Sequence, residues 1–211
     1  ATENTAKTER TATVTLTATG ENDFDPIVVN VTQGGTVAPP AEPLFSGSDF
    51  NDWALFESSL NSFGVKDYAT QSATGGRDDL GAIHIKGTPT GNDFIFTAVV
   101  PEEFSAAGKT MIHFWIKGTA DKSLSLNVYT DNKNYKVFNL GDATTADVVL
   151  KIVGSNQYGG TIKTGGEWIK VSLDISSIAS QINTTVGENL FALKVGKEVA
   201  YDLYVDDITI E

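Results

Sequence analysis

Cysteine is absent from this chain of 211 residues, and histidine is limited to His84 and His113. The lack of cysteine excludes disulfide bonds, thiol catalysis and cysteine-bound zinc. Both histidines lie among apolar residues of predicted strands, so we expect them to be structural, and two histidines cannot form a site with several histidine ligands. No apolar run approaches the ~20 residues that a membrane helix needs, so the sequence predicts no membrane insertion.

Positive charge is scarce as well. Lys and Arg number 15 against 27 Asp and Glu, which gives a net charge of −12. Nucleic acids and anionic membrane surfaces are bound by clustered Lys and Arg, so the composition excludes both as partners. The same charge permits neutral ligands and cations such as Ca2+, and solubility alone explains it equally well.

The chain is rich in Thr, which favours strands, and in Gly, Asn and Asp, which favour turns. Residues 11–19 alternate Thr with apolar residues, and residues 27–31 have apolar side chains at alternate positions. This period of two is typical of half-buried strands. The two segments therefore predict a β-hairpin that ends near residues 33–35.

Strand signals recur at short intervals after residue 44, separated by stretches rich in Gly, Asn, Asp and Ser. The predicted strands cover residues 53–57, 63–69, 82–86, 94–100, 109–117, 123–130, 135–140, 148–153, 168–173, 190–195 and 203–210. A single short helical turn is predicted within residues 175–182. Such spacing is typical of a sandwich or barrel, and about ten strands suit a jelly roll.

Between these regions, residues 36–43 read TVAPPAEP, and their prolines block both helix and strand ladders. The sequence therefore predicts a hairpin unit at residues 1–35, a linker at 36–43 and a jelly-roll domain at 44–211. Two strands cannot bury a core alone. Because unpaired strand edges invite partners, a dimer formed through the N-terminal strands is one way to complete this unit.

The first hairpin resembles a known module. RTATVTLTATG and IVVNVTQGG, which begin at Arg10 and Ile27, are similar to the last two strands of a BACON domain. That module is an immunoglobulin-like domain of Bacteroidetes surface and secreted proteins. The resemblance implies an extracellular or outer-membrane location, with any lipoprotein anchor lying before Ala1.

The remainder of the chain resembles jelly-roll carbohydrate-binding modules of the galactose-binding-like type. The segments FSGSDFNDWALF, TMIHFWIKG, GGEWIKVSLDIS and YDLYVDDITIE carry this resemblance in their order along residues 44–211. It implies an all-β jelly-roll sandwich that binds a polysaccharide or oligosaccharide without catalysis, at the cell surface or as an accessory module.

The same resemblance implies a structural Ca2+ between the closing strand and the opening segment. Of the two adjacent aspartates in the closing strand, Asp206 and Asp207, the match to the family favours Asp206 as a calcium ligand. Asp49 and Asp52 of the opening segment are the expected partner ligands. Calcium takes six to eight oxygen ligands, which carboxylates and carbonyls supply. The alternative is that these aspartates are solvated or cap the amides of a loop.

Sugar recognition combines aromatic rings, which pack on the C–H faces of the sugar, with polar groups that fix its hydroxyls. Tyr129 and Tyr135 flank a probable hairpin loop, Tyr158 lies in a polar loop and Tyr68 ends an early strand. The polar candidates are Asn132, Asn156 and Gln157, which are also ordinary turn residues.

The tryptophans are a weaker set of candidates. Trp53 and Trp168 are expected to pack in the core, and the resemblance implies that Trp115 and Trp168 occupy structural positions of the family. Core packing is also the favoured interpretation of Trp115, but this residue is kept as a ligand candidate.

Two other functions stay open. A glycoside hydrolase needs two opposed carboxylates, and the chain lacks the E-x-D-x-x-E string of jelly-roll glucanases. We therefore expect no catalytic residues, and a glycoside hydrolase or polysaccharide lyase is the least favoured alternative. The other alternative is that the chain is a structural or adhesive spacer that binds no ligand. The spacer predicts scattered or buried tyrosines, whereas binding predicts that Tyr129, Tyr135 and Tyr158 line one groove or loop rim.

Overall fold

The described residues near the N-terminus form an antiparallel hairpin. The computed structural model describes residues 10–17, 26–33, 41–78 and 80–211. Strand β1 (Arg10–Leu16) pairs with β2 (Ile27–Gln33) over their whole length. Alternate positions place apolar side chains of both strands on one face, as the period of two predicts. The predicted hairpin is confirmed.

Contacts divide the chain into one unit at Ala1–Pro40 and a second at Ala41–Glu211. The predicted linker falls partly on residues 36–40, which lie outside the described residues. Its last two residues form strand β3 (Glu42–Pro43), which pairs with the closing strand of the chain, so regular structure begins before the predicted boundary at Leu44.

The second unit contains one α-helix, one 3-10 turn and thirteen strands among its described residues. The strands after β3 are β4 (Ala69–Ser72), β5 (Ala82–Gly87), β6 (Asp93–Val99), β7 (Met111–Ala120), β8 (Leu124–Tyr129), β9 (Tyr135–Asn139), β10 (Val148–Leu150), β11 (Ile152–Val153), β12 (Ile162–Lys163), β13 (Ile169–Asp174), β14 (Asn189–Val195) and β15 (Tyr201–Ile210). Helix α1 spans Trp53–Ser58 and the 3-10 turn spans Ala179–Gln181.

These strands form two sheets. The eight-stranded sheet has the order β10-β13-β7-β15-β5-β4, with β12 beside β7 and β3 beside β15. The five-stranded sheet has the order β11-β9-β8-β14-β6. The chain passes repeatedly from one sheet to the other, so the predicted fold class, an all-β jelly-roll sandwich, is confirmed.

The core lies between the sheets and includes a cluster of phenylalanine rings. Phe45 lies 5.8 Å from Phe96 and 6.5 Å from Phe191, measured between ring centroids, and Phe56 lies 5.3 Å from Phe96. Edge-to-face contacts, as in the two pairs with Phe96, and the stacked contact of Phe45 with Phe191 stabilise an aromatic core beyond simple burial. Trp53 packs against this core at its edge, as expected.

Three predicted strands are wrong. Residues 53–57 form α1 because Asp52 caps the helix, its Oδ1 accepting a hydrogen bond from Leu55 N at 3.0 Å. Residues 63–68 of the predicted strand at 63–69 form a loop, and β4 begins at Ala69. Residues 148–153 divide into β10 and β11, which belong to different sheets. In the described residues, no helix is long and apolar enough to cross a membrane.

Candidate functional site

The face of the five-stranded sheet that points away from the core carries polar and aromatic side chains. In β8, Leu124, Leu126 and Val128 point into the core, so Ser125, Asn127 and Tyr129 between them belong to the opposite face. Cross-strand pairing places Val137 and Ala192 beside Asn127 on this face of the sheet, and all three residues are buried. We call it the sheet face.

A bulge extends the sheet face at its β6 edge. The pairing of β14 with β6 shifts register at Lys194, which pairs with Phe94, while Leu193 pairs with Phe96. Ile95 and Phe96 are consequently both in the core, and Phe94 is 36 % exposed on the outer side. The Lys194 ammonium lies 4.0 Å from the centroid of the Phe94 ring.

A cavity of about 310 Å³ opens beside this edge, at the lower end of the size range of small-ligand pockets. Its aromatic walls include Phe63 and Phe94, and Phe63 is 87 % exposed. The polar lining residues are Asn61, Lys66, Asp93, Thr97, Tyr129 and Asn189.

A chain of amide hydrogen bonds holds one side of the cavity. Asn189 N donates to Asn132 Oδ1 at 3.2 Å, and Asn189 Nδ2 donates to the Asn132 carbonyl at 3.0 Å. Asn61 Nδ2 donates to Asn189 Oδ1 at 3.1 Å, and Asn61 Oδ1 accepts from Phe63 N at 3.1 Å. The loop that presents the Phe63 ring is therefore fixed to β14 and to the β8–β9 turn.

The tyrosines gather around the same face. Tyr129 and Tyr135 meet edge to face, with ring centroids 5.3 Å apart. Burial raises the pKa of Tyr129, and burial followed by the nearby Tyr135 and Asp93 raises the pKa of Tyr158 to about 12. Burial, reinforced by Asp93, also raises the pKa of Tyr68. These phenols therefore stay neutral and can donate hydrogen bonds at physiological pH.

Asp93 is the main carboxylate of the cavity wall and is already well partnered. Its Oδ2 lies 3.3 Å from Lys66 Nζ and accepts a hydrogen bond from the Tyr68 hydroxyl at 3.4 Å. Its Oδ1 accepts from Phe94 N at 2.9 Å. The negative charge of Asp93 is thus balanced within the wall.

The loop after β11 closes the other end of the sheet face. Ser125 Oγ lies 2.8 Å from Asn156 Oδ1 and 2.7 Å from Asn139 Oδ1, while Gln157 N donates to Asn139 Oδ1 at 3.1 Å. The Asn156 oxygen is therefore engaged within the protein. The Gln157 side chain belongs to an exposed residue of this rim.

Asn127, at the middle of the central strand, was not predicted as a site residue. It is fully buried, and neither its Nδ2 nor its Oδ1 has a hydrogen-bond partner in the described residues. The alternation in LSLNVY contained the signal, because it places a polar amide on the outer side of a strand whose other face is apolar.

Comparison with known proteins adds little to this geometry. No protein-family model and no curated protein match the chain. One similar solved structure is a carbohydrate-binding module of the β-sandwich superfamily, from work on promiscuous specificity. The similarity covers 96 % of this chain and 74 % of that one, at 12 % identity and a TM-score of 0.43. An identity and a TM-score this low do not allow the function of that protein to be assigned to this chain.

The ligand candidates therefore divide by location. Tyr68, Tyr129, Tyr135, Tyr158, Asn132, Asn156 and Gln157 all surround the sheet face and its cavity. Trp115 does not, because it lies on the eight-stranded sheet, where the Arg77 guanidinium sits 3.8 Å from its ring centroid.

The expected core packing of Trp168 is wrong, and so is that of Trp115. Both are half-buried on the outer side of the eight-stranded sheet, and the Lys117 ammonium lies 4.7 Å from the Trp168 ring. Cations cover these rings in place of the core.

The two histidines contact side chains of neighbouring strands. His84 stacks on Tyr204 at 4.2 Å and pairs with Asp202, and His113 Nδ1 lies 2.8 Å from Ser172 Oγ.

The predicted calcium ligands have protein partners. Asp206 Oδ2 accepts from Arg77 N at 2.9 Å, and Asp207 Oδ2 lies 2.6 Å from the Arg77 guanidinium. Asp49 accepts from Asn51, and Asp52 caps α1. Asp206 thus caps a loop amide. Across residues 41–78 and 80–211 no cluster of three or more His, Asp or Glu could hold a metal, and the calcium site stays a prediction.

Proposed function

We propose that this chain binds carbohydrate without catalysis, through the sheet face and the cavity at its β6 edge. The observation that carries the proposal is the pair of exposed rings, Phe63 and Phe94, beside a cavity of about 310 Å³ with amide, carboxylate and hydroxyl groups in its lining. Rings that stack on sugar C–H faces next to groups that bind hydroxyls are what saccharide recognition requires.

The exposure of Phe63 supports this function. A ring that is 87 % exposed gains almost nothing from burial, yet hydrogen bonds to Asn61 hold its loop in one geometry. A single exposed apolar residue needs no explanation. Two rings at one cavity, with the tyrosines of the sheet face beside them, favour a ligand over the spacer hypothesis.

The polar groups suit a neutral, hydroxyl-rich ligand. Asn189 and Thr97 present amide and hydroxyl groups, and Lys66 and Asp93 form a charge pair that donates and accepts. Such a surface excludes little water and buries a modest apolar area, so we expect weak binding at one site and a need for multivalent display.

The cellular setting is part of the same proposal. The resemblance of the first hairpin to the closing strands of a BACON domain supports a secreted or outer-membrane protein of a Bacteroidetes bacterium. A polysaccharide is the partner that such a location supplies. The spacer hypothesis, in which the chain only separates other domains, is the alternative.

Affinity electrophoresis of the purified protein in gels containing plant, host or microbial polysaccharides tests the function. We expect at least one polysaccharide to retard the protein, and Phe63→Ala to remove the retardation without changing the unfolding midpoint. Val149→Ala is the matched control, because Val149 is 60 % exposed and lies in β10 of the other sheet. A folded protein that no polysaccharide retards would favour the spacer.

A further inference from the structure

The cavity at the β6 edge reaches from the surface to the edge of the core. The Phe63 ring and 43 % of the Lys66 side chain are exposed, whereas Phe96 and Thr97 are buried, and all four residues line this one cavity. A group that enters from solvent past Phe63 and Lys66 therefore meets buried side chains at the inner end.

Phenylalanine rings form the apolar walls of the cavity. Phe63, Phe94 and Phe96 all line it, and Gly64 next to Phe63 adds no side chain of its own. A Cβ at Gly64 would meet no atom within 4 Å, so this part of the wall leaves open space beside the rings. An apolar group that enters this space gains free energy by leaving water.

The uncharged polar groups of the lining bond mainly to one another. Asn189 donates from both of its nitrogens to Asn132, and its Oδ1 accepts from Asn61 Nδ2. Asn61 Oδ1 accepts from a backbone N–H of its own loop. The side chains of Thr97 and Tyr129, both buried, share a hydrogen bond. These groups therefore have little capacity left for the hydroxyls of a sugar ring.

Lys66 differs from these groups because its ammonium has donors to spare. An ammonium carries three N–H donors, and its ion pair with Asp93, at 3.3 Å, engages it on one side. Asp93 is held in addition by the Tyr68 hydroxyl and by Phe94 N. Lys66 can therefore donate to a ligand oxygen in the cavity without leaving Asp93.

Apolar walls beside one strong donor suit a small apolar group that carries one acceptor. A bare sugar has a hydroxyl on nearly every ring carbon, and each hydroxyl buried without a partner costs free energy. An acetyl group instead presents a methyl, which leaves water against the rings, and one carbonyl oxygen, which accepts from an ammonium. Sugars carry this group either as an amide or as an ester.

We propose that the cavity selects acetylated saccharides, with its phenylalanine rings holding the acetyl methyl and Lys66 donating to the acetyl carbonyl. This inference rests on the proposed carbohydrate binding and names its substrate class. The sugar ring then lies at the mouth of the cavity against Phe63, which is 87 % exposed, and keeps its hydroxyls in water. The amide and the ester share this chemistry, and separate ligand pairs distinguish them.

The first pair tests the ester. Each polysaccharide that retards the full chain in affinity electrophoresis is run beside a twin: acetylated polymers beside their alkali-deacetylated form, and unacetylated polymers beside a form partly acetylated with acetic anhydride. The second pair tests the amide by isothermal titration calorimetry. It compares chitohexaose with cellohexaose, which has a hydroxyl in place of each acetamido group, and both are neutral.

We expect the acetylated member of at least one pair to bind at least about tenfold more tightly than its twin. Burial of one methyl group and one hydrogen bond from a charged donor together supply a difference of this size. A preference in one pair alone would show which linkage the cavity accepts.

Variants assign the preference to the cavity. Lys66→Met should lower the preference several-fold, Lys66→Arg should keep it because the donor remains, and Phe94→Ala should bring the acetylated member down to its twin. Lys86→Met is the matched control, since Lys86 is an exposed lysine of the eight-stranded sheet that pairs with Asp202 at 3.1 Å. Urea unfolding confirms that each variant is folded, and the Lys66 variants change an exposed side chain only.

The outcomes separate this inference from the function on which it rests. Equal or weaker binding of the acetylated member in both pairs, with some saccharide still bound, would overturn acetyl selection and leave carbohydrate binding intact. A preference that is unchanged in both Lys66→Met and Phe94→Ala would overturn the assignment to this cavity. Binding of no saccharide in either form would overturn both proposals.

Discussion

At the scale of single residues, Asp206 combines burial with a closely fitted set of donors. Its Oδ2 accepts from Arg77 N, and its Oδ1 accepts from Asp207 N at 2.8 Å. Burial nevertheless raises the pKa of this carboxyl from 3.8 to about 6, with Asp207 adding to the rise. The folded protein therefore binds this proton more tightly than the unfolded chain does.

The sign of the resulting pH dependence follows from linkage. A pKa that is higher in the folded state contributes stability that is complete below the unfolded value of 3.8 and is lost as the pH rises to about 6. We expect the free energy of unfolding of the wild type, relative to Asp206→Asn, to fall across this interval and to be flat above it. Urea unfolding of both proteins across the interval measures the difference. A wild type that gains stability over the variant with rising pH would contradict this.

The same titration tests the predicted calcium site. A metal on the Asp206 carboxylate favours its charged form, because opposite charge lowers a carboxyl pKa. Bound Ca2+ at this residue would thus reverse the sign of the pH dependence, and EDTA would restore it. The site fails if excess CaCl2 leaves the difference between wild type and Asp206→Asn unchanged.

For some residues of the candidate site, the local sequence shows on which face of the sheet the side chain lies, and for others it does not. The tyrosines around residues 130–134 were predictable, because a polar turn between two strands places flanking aromatics at a strand end. Phe94 was not, since strict alternation puts it on the same side as Phe96. The bulge in the β6–β14 ladder separates the two rings, and a bulge depends on the partner strand. The outward position of Trp115, in contrast, follows from alternation along its strand. Phe114 and Ile116 on either side of it face the core, so Trp115 faces away from the core.

At the scale of elements, the β7–β15 pair depends on one glycine. Gly118 has φ of +131°, a conformation that L side chains rarely adopt, and a Cβ there would overlap the carbonyl oxygen of Asp202 in β15. Gly118→Ala should therefore lower the free energy of unfolding by at least about 2 kcal/mol, through backbone strain and overpacking in the middle of the eight-stranded sheet.

Gly154→Ala provides the control for this prediction. A Cβ at Gly154 meets no atom within 4 Å, so we expect a change within about 0.5 kcal/mol. Urea unfolding at constant pH measures both variants. A Gly118 variant as stable as the Gly154 variant would show that β15 can move away from β7 without loss.

Elements with clear alternation were predicted to within a few residues, and those without it were not. Strands β5 to β9 and β13 to β15 contain apolar residues at alternate positions bounded by turn residues, so sequence alone located them. Residues 53–57 read as a strand because they are apolar, although Asp52 before them is a helix cap. The division of residues 148–153 between two sheets has no local signal, since it is imposed by pairing with Phe138 and Val171.

At the scale of the whole molecule, the spacing of strands predicted the class of fold, because many short strands with turn residues between them leave few architectures. Strand order within the sheets was beyond the sequence. The parallel pairing of β10 with β13 and the antiparallel pairing of β15 with both β5 and β7 join segments far apart in the chain. Contacts of this kind are set by how the two sheets close over one core.

That core predicts how the chain responds to truncation. Its buried residues run from Leu44 to Ile210, and the strands of the second unit pair with one another. The described residues of the first unit form a two-stranded hairpin, which is marginal as a folding unit in water. We therefore expect a chain that begins at Ala41 to unfold cooperatively, with a midpoint within about 4 °C of the full chain, which for a domain of this size corresponds to at most about 1–2 kcal/mol. Thermal unfolding followed by circular dichroism measures the midpoint, and affinity electrophoresis of the truncated chain measures whether polysaccharide binding is retained.

A large fall in the midpoint would mean that the hairpin stabilises the sandwich. Loss of retardation at an unchanged midpoint would mean that residues 1–40 take part in binding.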